Sequence, residues 1–367
     1  MAAGIQFSTL AGGKSLIMVQ QGRSAGNTTI SILQEEFGLD GLWKLGGEGE
    51  GFKGFAEFKQ VAPEGRYQIY AGHFCFGAHR WVKGPCDYFT MLRHPIERLL
   101  SRYTAWGRTA TGQRNFADWI DDNFDGTNGM LKRILGAGIV DDDNAPYDVV
   151  NDRPYVGRME VGEAEYERAV EILEQHFPCV LIQEHFDESM LLLGRTYGMR
   201  PLYSLNRQFT NKQLQPTKRE NYPPSIVRMI EERNRFDLRL YDTFRKRFLD
   251  RIEKEGPAFK EEARIMKLLA NIFRHPGSQS LDFAQIFPRV TQFMNDSLKR
   301  GTISDAVAVL RRIASKPILS VKFRRFALIF IATHGTSTDI ADEIAAYRER
   351  FGDDDFVKEI AAKAKVS

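Results

Sequence analysis

The chain has 367 residues, 43% of them hydrophobic, which is enough to bury a large core shared between a larger and a smaller domain. Its 51 Lys and Arg against 48 Asp and Glu leave a formal charge of +3, which excludes nucleic-acid binding by overall charge and confines any anion site to a local constellation. Cys75, Cys86 and Cys179 form neither C-x-x-C pairs nor a disulfide framework, so they read as buried thiols in a reducing compartment.

In chain order, Leu16 to Val19 is a short apolar run ended by Gly22. From Thr28 to Phe37 an amphipathic pattern follows, with Ile30, Leu33 and Phe37 on one side: strand, loop, helix. The segment from Asp40 to Gly65, rich in Gly, Lys and Glu, reads as a long surface loop. Tyr67 to Ala71, Tyr88 to Leu92 and Cys179 to Ile182 read as further buried strands. Helical patterns intervene at Pro95 to Trp106, Phe116 to Phe124, Gly162 to His176, Glu188 to Tyr197 and Pro224 to Phe248. Strands alternating with helices predict an α/β fold, three-layered around a central parallel sheet, with ligands at the carboxyl ends of the strands. The character changes at Gly256-Pro257, after which the pattern is helical. The expectation is a domain over 1–255 and an all-α appendage over 256–367, in which Ile303 to Ala314 and Thr338 to Arg350 belong to stacked helical hairpins. The apolar runs Leu16 to Val19 and Phe326 to Ala332 fall far short of the roughly 18 residues of a membrane span, so the expected setting is cytoplasmic.

Two constellations carry chemistry. Gly22-Arg23-Ser24-Ala25-Gly26-Asn27-Thr28-Thr29 joins a strand to a helix: small residues admit an anion to the backbone amides, hydroxyls donate, and Arg23 adds charge at the helix start. This is a phosphate or sulfate cradle, or an ordinary strand-to-helix turn. It departs from the nucleotide-triphosphate loop G-x-x-x-x-G-K-[ST] in glycine spacing and in lacking the lysine, which weighs against a kinase or other phosphoryl transferase. In the second, Arg93 to Tyr103, Pro95 suits the first helical position. Arg98 and Ser101 then fall one turn apart, near Arg93 at the strand end, a set able to grip a phosphate monoester, or else a solvated basic helix face with Arg98 in a surface ion pair.

With both constellations in view, the chain resembles the sulfotransferases that use 3′-phosphoadenosine-5′-phosphosulfate (PAPS), and most closely the branch of carbohydrate 2-O- and 4-O-sulfotransferases and their bacterial relatives. The family loop P-K-T-[AG]-G-[TN]-[ST] is similar to Gly22 to Thr28, with Gly22 in place of Pro and Arg23 in place of Lys. The family element R-x-P-x-x-R-x-x-S-x-Y is matched by Arg93, Pro95, Arg98, Ser101 and Tyr103. Further matches are Gly72-His73, Asn128 to Gly136, Gln183 to Ser189, and Asn234 with Asp237, Leu240 and Tyr241, so the likeness runs from Ser15 to Phe248.

The resemblance implies a P-loop-like phosphosulfate site over Arg23, Ser24, Ala25, Gly26, Asn27, Thr28 and Thr29. It further implies a 3′-phosphate site at Arg93 and Ser101, and transfer of a sulfuryl group to an acceptor hydroxyl of a carbohydrate, free or in a glycolipid. His73 is the expected base, a role weighed against that of a core histidine satisfied by backbone. Arg23 is the second expected catalytic residue, keeping the charge of the family lysine but not its shape. Asn128 and Arg133 are expected along the acceptor cleft, with a surface ion pair as the nearly equal alternative for Arg133. No metal is expected, since no H-x-x-x-H, C-x-x-C or EF-hand spacing occurs. The C-terminal helices offer an oligomer contact, and a PAPS-binding scaffold without turnover is the remaining alternative.

Overall fold

The structure is a computed structural model that describes residues 9–46, 54–109, 112–113, 115–139, 146–154, 159–199, 202–203, 207–208, 219–272, 274–275, 283–314 and 321–364. The fold is α/β. Its centre is a parallel sheet of β1 (Ser15–Val19), β2 (Leu42–Leu45), β3 (Ile69–Gly72), β4 (Cys86–Leu92) and β5 (Cys179–Ile182), in the order β5-β4-β1-β3-β2. Every residue of β1 and of β3 is buried, and since successive strand residues point to opposite faces, both faces of the sheet are covered there. The register runs Ser15 opposite Cys86 to Val19 opposite Thr90, and Leu16 opposite Ile69, so the carboxyl ends of β4, β1 and β3 lie side by side.

Helices α1 (Gly26–Phe37), α2 (Phe55–Val61), α3 (Pro95–Trp106), α4 (Phe116–Asp122), α5 (Gly129–Ile134), α6 (Glu163–His176), α7 (Phe186–Thr196) and α8 (Pro224–Arg233) belong to the same unit. Helix α3 starts at Pro95, whose missing N–H costs nothing at a first helical position. Its apolar stripe of Ile96, Leu99, Leu100 and Tyr103 buries against Phe116, Trp119, Val227 and Ile230 of α4 and α8. The helix expected from Pro224 to Phe248 is two. Asn234 separates α8 from α9 (Arg235–Ile272), its side chain bonding the Gly126 carbonyl and the Asn128 N–H.

The loop expected between Asp40 and Gly65 is corrected. It holds the edge strand β2 and helix α2, and residues 47–53 lie outside the described residues. Trp43, Phe55 and Phe58 are buried and pack on one another and on Phe74 and Trp81, so aromatic burial outweighs the loop-like composition around them.

The chain divides into two compact units, one of 9–202 with 211–256, the other of 257–367 with 1–8 and 203–210. Gly256, at φ +80°, interrupts α9 immediately before Pro257. In the second unit α10 (Phe283–Arg300), α11 (Ile303–Ala314), α12 (Val321–His334), α13 (Ser337–Phe351) and α14 (Asp355–Ala364) pack in succession. They surround a core that includes Leu310, Ile313, Phe323, Ile331, Ile344 and Val357. Thr336 and Asp339 form a reciprocal capping box at the start of α13. Among the described residues no helix is long and apolar enough to cross a membrane.

Candidate anion site at the carboxyl ends of the central strands

The loop after β1 begins with Gln20 and Gln21, both buried, and turns into α1 through Arg23 (φ +67°) and Ala25 (φ +57°). Left-handed conformations are uncommon for residues with a Cβ and cost on the order of 1 kcal/mol each, so the local fold holds the loop against a small strain. Such alternation turns backbone N–H groups toward one side. The N–H groups of the first turn of α1 have no intrahelical acceptors by construction, and Ala25 supplies no side-chain cap. Ser24 is buried, and its hydroxyl has no hydrogen-bond partner among the described residues. Thr28 is half-buried and Asn27 exposed. The Thr29 hydroxyl, expected to face an anion, instead donates to the Ala25 carbonyl at 3.2 Å inside the helix.

From the next strand, β4, comes Arg93, which donates from Nη1 to the Arg23 carbonyl at 3.0 Å. Ser101, two turns into α3, accepts from Arg23 Nε at 3.0 Å. The two constellations therefore meet. Arg98 does not join them. It is completely buried, points to Asp237 (3.7 Å) and donates to the Asp125 carbonyl, holding α3 to the start of α9.

On the other side of β1, His73 follows β3. Gly72 has φ +126°, and a Cβ there would meet the Leu45 carbonyl oxygen at 2.1 Å, so only glycine lets β3 turn out beside β2 and deliver the histidine. The Gly72 carbonyl accepts from Gln20 N, and His73 bridges Val19, which fixes the residue beside the root of the loop after β1. The residue is half-buried. Its Nδ1 is buried without a hydrogen-bond partner among the described residues, so the backbone-satisfied reading of this ring nitrogen does not apply. Burial, reinforced by Arg133 and Arg102 and opposed by Asp125, lowers its pKa to about 4, so the imidazole is neutral near pH 7.

Beneath these groups lies a buried hub that the sequence did not announce. Burial alone would raise the Asp125 carboxyl, but Arg133, Arg102 and Arg98 more than reverse this and hold it well below the usual range. Its Oδ2 is 3.1 Å from Arg102 Nη1 and 3.3 Å from Arg133 Nη2. Arg133 also donates to the His73 carbonyl, so this residue, expected along an acceptor cleft, is a buried strut between Asp125 and the His73 turn. Asn128 is likewise internal. It accepts at Oδ1 from Phe236 N and Asp237 N, while Asp237 accepts from Met130 N and Leu131 N, so the two helix starts cap one another.

Burial depresses Arg23 below the ordinary guanidinium range. It does the same to Arg93, where burial outweighs the support of Glu184 and Glu97, and Arg23 and Arg98 add smaller repulsions. Arg102 is depressed by burial and by Arg98, Arg133 and Arg23 against Asp125. Guanidiniums held in this way are relieved by an incoming anion. No family model matches the chain, and no curated protein matches it.

Proposed function

We propose that the chain is a sulfotransferase that moves a sulfuryl group from PAPS to a carbohydrate hydroxyl. The observation that supports it is the meeting of the two constellations: Arg23, Ser24 and the start of α1 face Arg93 and Ser101 across one hydrogen-bonded junction, with His73 on the neighbouring strand. A donor with phosphosulfate and 3′-phosphate ends matches a site with two clusters of donors so linked. In this reading the phosphosulfate lies on the P-loop-like turn and the 3′-phosphate at Arg93 and Ser101. The acceptor oxygen attacks sulfur in line, the bond from sulfur to the bridging phosphate oxygen breaks, and the acceptor proton passes to His73. Arg133 and Asp125 position the His73 turn rather than touch the acceptor.

A neutral histidine surrounded by cations is a weak base until negative charge arrives. Donor binding offsets Arg133 and Arg102 and strengthens it, so the donor prepares the base for the acceptor.

The test is calorimetric titration with 3′-phosphoadenosine-5′-phosphate, with ATP and magnesium as the control. Binding is expected in wild type and weakened in Arg93→Ala by about tenfold to a hundredfold, the worth of hydrogen bonds to a charged group. Preference for ATP with magnesium would replace the reading by a phosphoryl transferase. Binding without sulfate transfer to any of a panel of glycans would leave a PAPS-binding scaffold.

A further inference from the structure

One cation of the site lies outside both sequence motifs' expected contacts. Arg102 follows Ser101 on α3; its side chain is 14% exposed and its Nη1 is 3.1 Å from Asp125 Oδ2. The same Nη1 lies so close to the phosphate loop that a Cβ built on Gly22 would come within 2.8 Å of it. Gly22 is not in the left-handed region, so what a side chain there would disturb is the end of the Arg102 guanidinium and not the backbone. Arg23, the next residue, has its side chain turned to Ser101 instead. Arg102 is also one of the charges that lower the pKa of His73.

Resting on the sulfotransferase reading, we propose that Arg102, rather than Arg23, is the cation presented to the 5′-phosphosulfate, that Gly22 makes room for its guanidinium, and that Arg23 serves the 3′-phosphate beside Ser101 and Arg93. The two departures of the loop from the P-K pattern then have one cause. A cation that reaches the loop from α3 needs a residue without a side chain at position 22, and it releases residue 23 to reach the other end of the donor. Pairing with Asp125 fixes the plane of the Arg102 guanidinium, which matters because the donors of an arginine are set in a rigid fork. As the sulfur–oxygen bond breaks, its electron pair remains on the 5′-phosphate oxygen. Arg102 stabilises that charge through hydrogen bonds and does not itself give up a proton.

Calorimetry on the full chain with three probes separates the assignments: 3′-phosphoadenosine-5′-phosphate, adenosine 5′-phosphosulfate and adenosine 3′-monophosphate. Arg102→Gln is expected to weaken adenosine 5′-phosphosulfate by about tenfold to a hundredfold and adenosine 3′-monophosphate by no more than about twofold, with Arg23→Gln showing the reverse pattern. Arg102→Lys recovers part of the loss. If Arg23→Gln loses the 5′ probe while Arg102→Gln keeps it, the assignment is overturned and the sulfotransferase reading survives. If wild type binds none of the three probes, the sulfotransferase reading itself falls and takes the assignment with it. Gly22→Ala keeps both arginines and Asp125, and so decides the matter should Arg102→Gln fail to fold. It is expected to weaken the 5′ probe alone, and unchanged affinity overturns the proposal.

Discussion

Arginine does opposite work in the two units of this chain. In the helical unit Arg311 meets Asp339 at 2.6 Å, Asp342 at 2.9 Å and Glu343 at 3.2 Å, Arg264 meets Glu261 and Asp305, and Arg325 meets Asp354 and the Tyr347 hydroxyl. Each of these guanidiniums is pushed above its ordinary pKa, Arg311 despite the burial that opposes it. At the carboxyl ends of the central strands Arg23, Arg93 and Arg102 are pushed below it: burial lowers all three and outweighs the carboxylates near Arg93 and Arg102. Saturated arginines join helices. A guanidinium lowered by burial is one that a bound anion relieves, which is why these three define the candidate site.

The sharpest way to break this comparison is to remove the hub carboxylate. Asp125→Asn leaves Arg102 and Arg133 without the charge they share and is expected to cost about 3 to 5 kcal/mol, read from the urea midpoint. A loss no larger than that of a surface pair would mean that the hub is not what holds these cations in place.

A smaller effect is tied to pH. The pKa of His73 is lowered on folding from 6.5 to about 4, so between those values the unfolded chain binds the extra proton and stability falls as pH is lowered through that window. His73→Asn is expected to flatten the dependence by on the order of 1 to 3 kcal/mol. On the proposed sulfotransferase reading, the same variant abolishes sulfate transfer while leaving 3′-phosphoadenosine-5′-phosphate binding intact. The smallest effect belongs to the other side of the comparison. Arg311→Ala breaks partly exposed pairs and is expected to cost about 1 kcal/mol or less, shrinking further in high salt.

The arrangement of the site was partly readable before the fold. The motif residues Arg93 and Ser101 and the loop from Gly22 to Thr29 are found at one edge because β1 and β4 pair in register, and sequence order alone suggested that edge. Arg98 and Arg102 show where reading stops. They lie four residues apart on α3, the same residue type one turn from each other, yet Arg98 turns inward to Asp237 and Arg102 turns to Gly22 and Asp125. Helical spacing assigns a face, not the partner waiting there. Asp125 sits in an unremarkable Asn-Phe-Asp-Gly stretch, and its role rests on contacts with α3 and α5 that no local pattern encodes.

The sequence by itself determined the elements whose signal is local. The short apolar run Leu16 to Val19, closed by Gly22, reads as a buried strand, Pro95 marks a helix start, and Gly256-Pro257 interrupts a helix. Only the tertiary structure decided that β2 and α2 form within a Gly-rich stretch, since their order comes from Trp43, Phe55 and Phe58 packing on Phe74 and Trp81 across the fold. Only it decided that Arg133 and Asn128 turn inward while Arg102 reaches the loop. Propensity and pattern act over a few residues, whereas the charge balance of a buried site is set by side chains that the chain brings together from dozens of residues apart.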